Sequence, residues 1–386
     1  MSSRARLSPA VALLLLLWPA SVATAGLTSP DGLVKTYELI LAARFDEAEG
    51  QLKSACPPAP RPACDVIGAV NDYWRLMLNP EETGRDAALL ARINTAINAA
   101  EAWVVREPKR AEAWFYLGGA YGTRVLLRGH RGQYLAAARD GKRIHDSLQL
   151  AISLDPTIGD AYFGLGLYHY YAAIAPRAAR ILSTLMFLPG GDRAGGLKEM
   201  EQTRSKGLLL RGEADYQLHL IYLWYERQAA TALRLIDGLH TRYPTNPVFF
   251  LRLADVQSIY IRNHQAALQT YRAMLDAARA GRIAAPALSE IDARLGMAHE
   301  MDAICDSAGA IDQLNAVIAL TPAAPYGALA RAHYQLGLVH DRAGRRADAI
   351  AAYQRARTVI PSDDRLRMRE SIRAAIARAP APRNCR

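Results

Sequence analysis

The sequence predicts an all-α chain arranged as a solenoid of helix hairpins, and three observations predict it. Strand signals are nearly absent across the 386 residues. Prolines recur with an aromatic residue six positions later, as in Pro108 and Trp114, Pro156 and Tyr162, and Pro244 and Phe250. A Leu-Gly pair recurs inside the helical pattern at Leu117-Gly118, Leu165-Gly166 and Leu336-Gly337. With 51% apolar and 22% charged residues, the composition excludes a generally disordered chain.

Residues 1–25 read as an export signal. Arg4 and Arg6 supply the positive start, Val11 to Trp18 the apolar run, and Ala23-Thr24-Ala25 the small-x-small site, which makes Gly26 the mature N-terminus. The run is short for a membrane span of about 20 residues, although an uncleaved anchor is the alternative. Losing Arg4 and Arg6 lowers the formal charge from +10 to +8. Of the 47 basic residues only six are Lys, and the Arg residues are spread along the chain beside abundant Ala. That pattern reads as compositional bias rather than a nucleic-acid surface.

Cys56 and Cys64 flank the Pro-rich stretch 57–62 between the first two hairpins. An exported chain meets an oxidising compartment, so a disulfide there would staple one helix end to the next helix start. Cys305 and Cys385 form a second candidate pair that sequence alone does not connect. The helical pattern divides into about eight hairpins: 32–57, 64–107, 111–155, 159–210, 213–243, 247–279, 287–321 and 328–360. Asp363-Asp364 then open a terminal capping helix over 363–379, and 380–386 form a loose tail.

Trp114, Leu117, Gly118 and Tyr121 spell W-x2-L-G-x2-Y, and Tyr162, Leu165, Gly166 and His169 repeat that layout. Leu336-Gly337 is followed by Ala349, Tyr353, Ala356 and Pro361. This resembles the tetratricopeptide repeat (TPR) family, whose unit is a 34-residue helix hairpin. The anchor prolines 108, 156, 244, 322 and 361 are separated by one, two, two and one such periods, with 14, 20, 10 and 5 residues added. The resemblance implies a TPR-like α-α superhelix, degenerate in period, over residues 26–379. The small residues Gly118, Gly166 and Gly337 would let paired helices approach, as would Ala232 and Ala349. The large Trp114, Tyr162 and Tyr353 would fill the space between hairpins.

Residues 164–226 depart from the repeat. Pro176 leads an apolar stretch with Ile181, Leu182, Leu185, Met186 and Leu188, which reads as an inserted helix, and Pro189-Gly190-Gly191 breaks it before Asp192 caps the next helix. The block is similar to one in exported bacterial TPR proteins of unassigned function. More distantly, Pro176, Pro189 to Arg193 and Gly196-Leu197 resemble the eukaryotic TPR family of inclusion-body clearance. The inserted helix has three readings: it packs across the groove, it contacts a partner, or it lies in a membrane interface.

Family pattern positions that face the concave surface map here to Asp160, Phe163, Leu167, Tyr170 and Tyr171, and to Ala214, Gln217, Ile221, Trp224 and Tyr225. The aromatics Phe163, Tyr170, Tyr171, Trp224 and Tyr225 are therefore the expected protein- or peptide-binding residues, with the chain's own copy as one partner class. The alternative reading makes these rings core. The Arg124–Arg143 stretch spans the 14-residue insertion of the third hairpin, and Arg124, Arg128 and Arg131 are the candidate contacts for an anionic polymer or lipid, or else a solvated loop. No catalytic motif is complete: His299-Glu300 lacks a second zinc ligand because residue 303 is Ala, and Gly164-x-Gly166 follows no strand. The expectation is an exported, non-enzymatic scaffold of the periplasm or cell envelope, without cofactor or metal. The rival is a peripheral envelope protein meeting lipid or an anionic polymer through the inserted helix and basic loop.

Overall fold

The computed structural model describes residues 26–176 and 189–380. The export segment, residues 177–188 where an inserted helix is expected, Cys385 and the rest of the tail beyond Pro380 lie outside the described residues. Among those described, every regular element is helical. The helices pair in chain order: α1 (Pro30–Leu41) with α2 (Phe45–Ala55), α3 (Arg61–Leu76) with α4 (Asp86–Arg106), and α5 (Ala111–His130) with α6 (Tyr134–Leu154). Next come α7 (Ala161–Ile174) with α8 (Arg193–Lys206), and α9 (Arg211–Trp224) with α10 (Ala229–Arg242). Then α11 (Pro247–Asp255), extended by a π-helical turn at Val256–Tyr260, pairs with α12 (His264–Arg279). Finally α13 (Pro286–Ala303) pairs with α14 (Ser307–Leu320) and α15 (Ala328–Arg342) with α16 (Arg346–Thr358), and α17 (Met368–Ala377) packs on the last pair.

Local chemistry explains the helix starts. Asn246, Asn263, Asp192 and Asp306 each accept a hydrogen bond from a backbone N–H in the first turn that follows, at 2.9–3.0 Å. Asp364 does the same for Met368 and Arg369 ahead of α17. The repeat glycines mark close helix approach. A Cβ on Gly118 would sit 2.6 Å from Leu148 of α6, and one on Gly166 would sit 2.7 Å from the Gly196 carbonyl of α8. Of the aromatics expected to fill the space between hairpins, Tyr353 is fully buried and Trp114 packs against the core. Trp114 and Tyr162 stay half-buried and donate to the carbonyls of Pro108 and Pro156, at 2.8 and 3.5 Å.

The expected basic loop in the third hairpin is not a loop. The inserted residues lengthen α5 and α6 to 20 and 21 residues and leave a turn at residues 131–133. Cys56 and Cys64, across the linker from α2 to α3, lie at disulfide distance with Cα atoms 6.4 Å apart.

The hairpins curl until the array closes on itself. This creates two edges: one carries the turns inside each hairpin, the other the linkers between hairpins. The first hairpin and its leader lie across the linker edge of later ones. Gly26 N–H donates to Asp155, Thr28 N–H to Glu112, and Asn246 Nδ2 to the Leu41 carbonyl, at 2.6, 2.9 and 2.8 Å. The α3–α4 turn meets later linkers, with Tyr326 N–H donating to Asn79 at 3.0 Å and Arg365 to Thr83 at 2.6 Å. An open cleft of about 510 Å³, lined by Phe45, Arg75, Asn79 and Leu288 among others, remains between these layers. One buried apolar core consequently runs through the first six hairpins, where Trp74 of α3 stacks edge-on against Tyr216 of α9 and Phe249 of α11 at 5.1 and 5.9 Å.

Candidate partner-binding site

Closure decides which of the expected concave positions reach solvent. Ala214 and Ile221 are fully buried, and Gln217 and Asp160 are buried. They belong to the core, not to an open groove. Asp160 is a bracket: its carboxylate accepts from the backbone N–H groups of Leu208, Leu209 and Leu210 at 2.9, 3.0 and 2.8 Å, fixing the linker ahead of α9. Burial raises its pKa, against the lowering effect of those three donors. One turn into α9, Glu213 is buried with Trp74 Nε1 at 3.0 Å and Tyr37 hydroxyl at 3.3 Å as donors, tying α1, α3 and α9 together. Burial without a cation pushes its carboxyl up to about 7.

The opposite ends of α7 and α9 carry the aromatic group. Tyr170 is fully buried, whereas Tyr171, Tyr225 and Trp224 are 37%, 45% and 50% exposed. The three tyrosine rings meet edge to face, with centroids 5.7 Å apart for Tyr170–Tyr171 and Tyr171–Tyr225 and 6.2 Å for Tyr170–Tyr225. Such T-shaped packing holds rings rigidly with little entropy left to lose on binding. Tyr170 is the base of the group: its hydroxyl donates to Glu226, which Arg193 clamps with two bonds of 2.8 and 2.6 Å. Arg193 holds the Glu226 carboxyl below its ordinary range, so the clamp stays charged at neutral pH. Phe163 stands apart, half-buried at the start of α7 and without a ring contact among the described residues. Of the five expected binding aromatics, the structure brings the three tyrosines together, exposes Trp224 without a ring contact among the described residues, and leaves Phe163 half-buried.

The chain re-enters behind this group. Asp192 N–H donates to the His169 carbonyl at 3.0 Å, and Tyr168 hydroxyl to the Pro189 carbonyl at 2.8 Å. A side chain at Gly191 would collide with the α7 backbone at Ala172 and Ala173.

The three candidate anion-binding arginines are committed within the chain. Arg124 grips Asp140 with two bonds of 2.9 and 2.8 Å and reaches Asn94 at 2.8 Å. Arg128 shares Asp140. Arg131 binds Asp86 and the carbonyls of Pro80 and Glu82, at 2.5–3.0 Å. Their donors brace the elongated third hairpin against the second. Among the described residues no group of three or more His, Cys, Asp or Glu is placed to hold a metal ion.

No family model matches the chain, and no curated protein does. Solved structures do. The chain is similar to the APC/C hetero-tetramer Cut9-Hcn1 with a TM-score of 0.50 and 13% identity, covering 89% of this chain and 55% of that one. It is similar to yeast Tom70 with a TM-score of 0.42 and 11% identity over 82% and 64% of the two chains. A human IFIT1 dimer with m7Gppp-AAAA matches with a TM-score of 0.43 and 14% identity over 89% and 79%. The chain thus spans little more than half the length of the first of these. At such identities the likeness is one of fold: the chain is a TPR-like helical solenoid.

Proposed function

We propose that this chain is an exported TPR-type scaffold of the periplasm or cell envelope, without catalytic activity, which holds a protein or peptide partner at Tyr171, Trp224 and Tyr225. A TPR-like solenoid is a form suited to protein interaction. The observation that carries the reading is the partial exposure of Tyr171 and Tyr225 on a rigid, ion-paired base, with Trp224 half exposed next to Tyr225 in the chain. Half-exposed aromatics are poor core and good anchors, because covering them releases water at small entropic cost. The signal segment supplies the compartment, and Cys56 and Cys64 at disulfide distance suit an oxidising one. Mature chain starting at Gly26, immobilised and exposed to envelope extract, should retain a defined protein. Trp224→Ala should release it. Equal retention by parent and Trp224→Ala counts against the site, and cytosolic residence of the full chain counts against export.

A further inference from the structure

Among the described residues, the exposed aromatics Tyr134, Tyr171, Trp224, Tyr225 and Tyr260 all stand at hairpin turns on one edge. Those turns belong to consecutive hairpins, the third to the sixth. The linker edge exposes aliphatic side chains such as Val105, Leu154 and Leu320, and no such ring among the described residues. Hairpin turns of the first and second hairpins abut linkers of later ones, so this edge points along the superhelix axis. At the turns of the third and sixth hairpins Tyr134, Leu135 and Ile259 to Ile261 reach solvent.

The sixth hairpin shows how the residues come to be outside. The π-helical turn Val256–Tyr260 adds a residue to the helical register while Val256 and Ser258 stay buried. It delivers Ile259, Tyr260 and Ile261 to solvent in succession, at 62%, 41% and 39% exposure. π-Turns are rare and concentrate at functional positions, and three consecutive exposed apolar residues are costly unless something covers them. In the third hairpin Tyr134 and Leu135 are 74% and 50% exposed.

Both signs of charge occur on this edge, and the carboxylates are mostly engaged within the chain. Asp140 pairs with Arg124, Asp255 with Arg252 and Asp302 with Arg342, Glu300 meets His264, and Asp348 at the eighth turn is exposed. Asp192 and Asp306 cap helices. Arg227 and Arg262 are exposed at the turns of the fifth and sixth hairpins, in left-handed backbone at φ 54° and 60°, with no hydrogen bond or ion pair among the described residues.

We propose that this hairpin-turn edge rests on an anionic lipid surface, with Tyr134, Leu135, Ile259, Tyr260 and Ile261 in the headgroup–acyl boundary and Arg227 and Arg262 at the phosphates. Apolar and aromatic tips flanked by arginine match the chemistry of that boundary, where tyrosine buries its ring and keeps its hydroxyl wet. Two short apolar runs on separate turns, Tyr134-Leu135 and Ile259 to Ile261, favour a deformable lipid layer over a single concave protein seat. The proposal goes beyond the protein-partner reading and uses none of its three rings. A partner held at Tyr171, Trp224 and Tyr225 would then be met beside the membrane.

The test is flotation with phosphatidylcholine vesicles, with and without phosphatidylglycerol, using the full chain and the chain from Gly26. The Gly26 form should co-float with the anionic vesicles and leave them at high salt. Arg227→Gln with Arg262→Gln should weaken this roughly thirtyfold, at about fivefold per cation near the surface. Ile259→Ser with Tyr260→Ser should weaken it about tenfold or more. Tyr134→Ser, on a different hairpin and the most exposed ring, guards against a folding artefact in the π-turn variant and should weaken binding severalfold while leaving thermal melting unchanged. Failure of the Gly26 form to co-float, equal binding to neutral vesicles, or unchanged binding by these variants overturns the proposal. Loss of a captured protein in the Ile259/Tyr260 variant, with no lipid binding by the parent, would assign the edge to a protein instead. Each of these results leaves the Trp224 capture experiment standing on its own.

Discussion

Helix α9 shows two kinds of protein surface within one length of 14 residues. At its start, on the linker edge, Gly212, Glu213 and Ala214 are buried, and polar groups there serve the chain itself. At its end, on the hairpin-turn edge, Trp224 and Tyr225 are half exposed beside Tyr171. Helix α7 repeats the contrast, from the bracketing Asp160 ahead of it to Tyr171 near its end. In a solenoid each repeat contacts mainly its neighbours, so edges ordinarily stay open. Here the first two hairpins are spent sealing the linker edge of the later ones. The opposite edge leaves Tyr134, Tyr171, Trp224, Tyr225 and Tyr260 more than a third exposed.

That contrast can be broken from the sealed side first. Asp160→Ala should have the largest effect, about 4 kcal/mol by denaturant unfolding, because three backbone N–H groups lose their acceptor in a buried setting. A loss below about 1 kcal/mol would show that the linker edge is solvated.

Glu213 supplies a pH test of the same seal. Its folded pKa of about 7 lies above the ordinary 4.5, so the proton is held more tightly when the chain is folded. The stability this contributes is fully present below about pH 4.5 and is lost as pH rises through about 7. The size is roughly 3 kcal/mol. Glu213→Gln keeps an acceptor for Trp74 and should flatten that part of the profile. Comparing parent with variant isolates Glu213 from His219, whose burial lowers its pKa to about 3 and gives the opposite slope.

Cys56→Ser, which opens only the linker between the first two hairpins, should cost about 2–3 kcal/mol by denaturant unfolding. No difference between parent and variant would mean that Cys56 and Cys64 stay as thiols. Smaller still, Tyr170→Phe should cost about 1 kcal/mol, removing one hydrogen bond to Glu226 while leaving the ring in place. Arg193→Gln in the same clamp should show whether the exposed rings need that base: the stability change is small, and partner capture falls.

Much of the fold could be read from spacing. Gly118 and Gly166 fit the close helix approach the repeat requires, and Asp192 caps α8 as its place after Pro189-Gly190-Gly191 suggests. A local period can supply this, because those contacts are made within one hairpin. Closure could not be read the same way. The bonds from Tyr37 and Trp74 to Glu213 span 176 and 139 residues, and no repeat pattern encodes them. The same limit explains Arg124, Arg128 and Arg131, which read as a basic stretch because their partners Asp86, Asn94 and Asp140 sit on other helices. It also explains why Tyr170 and Tyr171, adjacent in sequence and both assigned to a groove, separate into a buried base and an exposed ring. The π-turn that exposes Ile259 to Ile261 left no signal in the pattern, since a one-residue register change is invisible in a degenerate array.

The central claim is that the hairpin-turn aromatics are surface held ready for a partner, not misplaced core. Tyr171→Ala with Trp224→Ala, measured for unfolding free energy and for capture of envelope protein in the same preparation, tests it most directly. The account predicts a stability loss of no more than about 1–2 kcal/mol together with loss of capture. A loss of about 5 kcal/mol or more, the range for removing two buried aromatics, with capture by the surviving folded fraction intact, would contradict it.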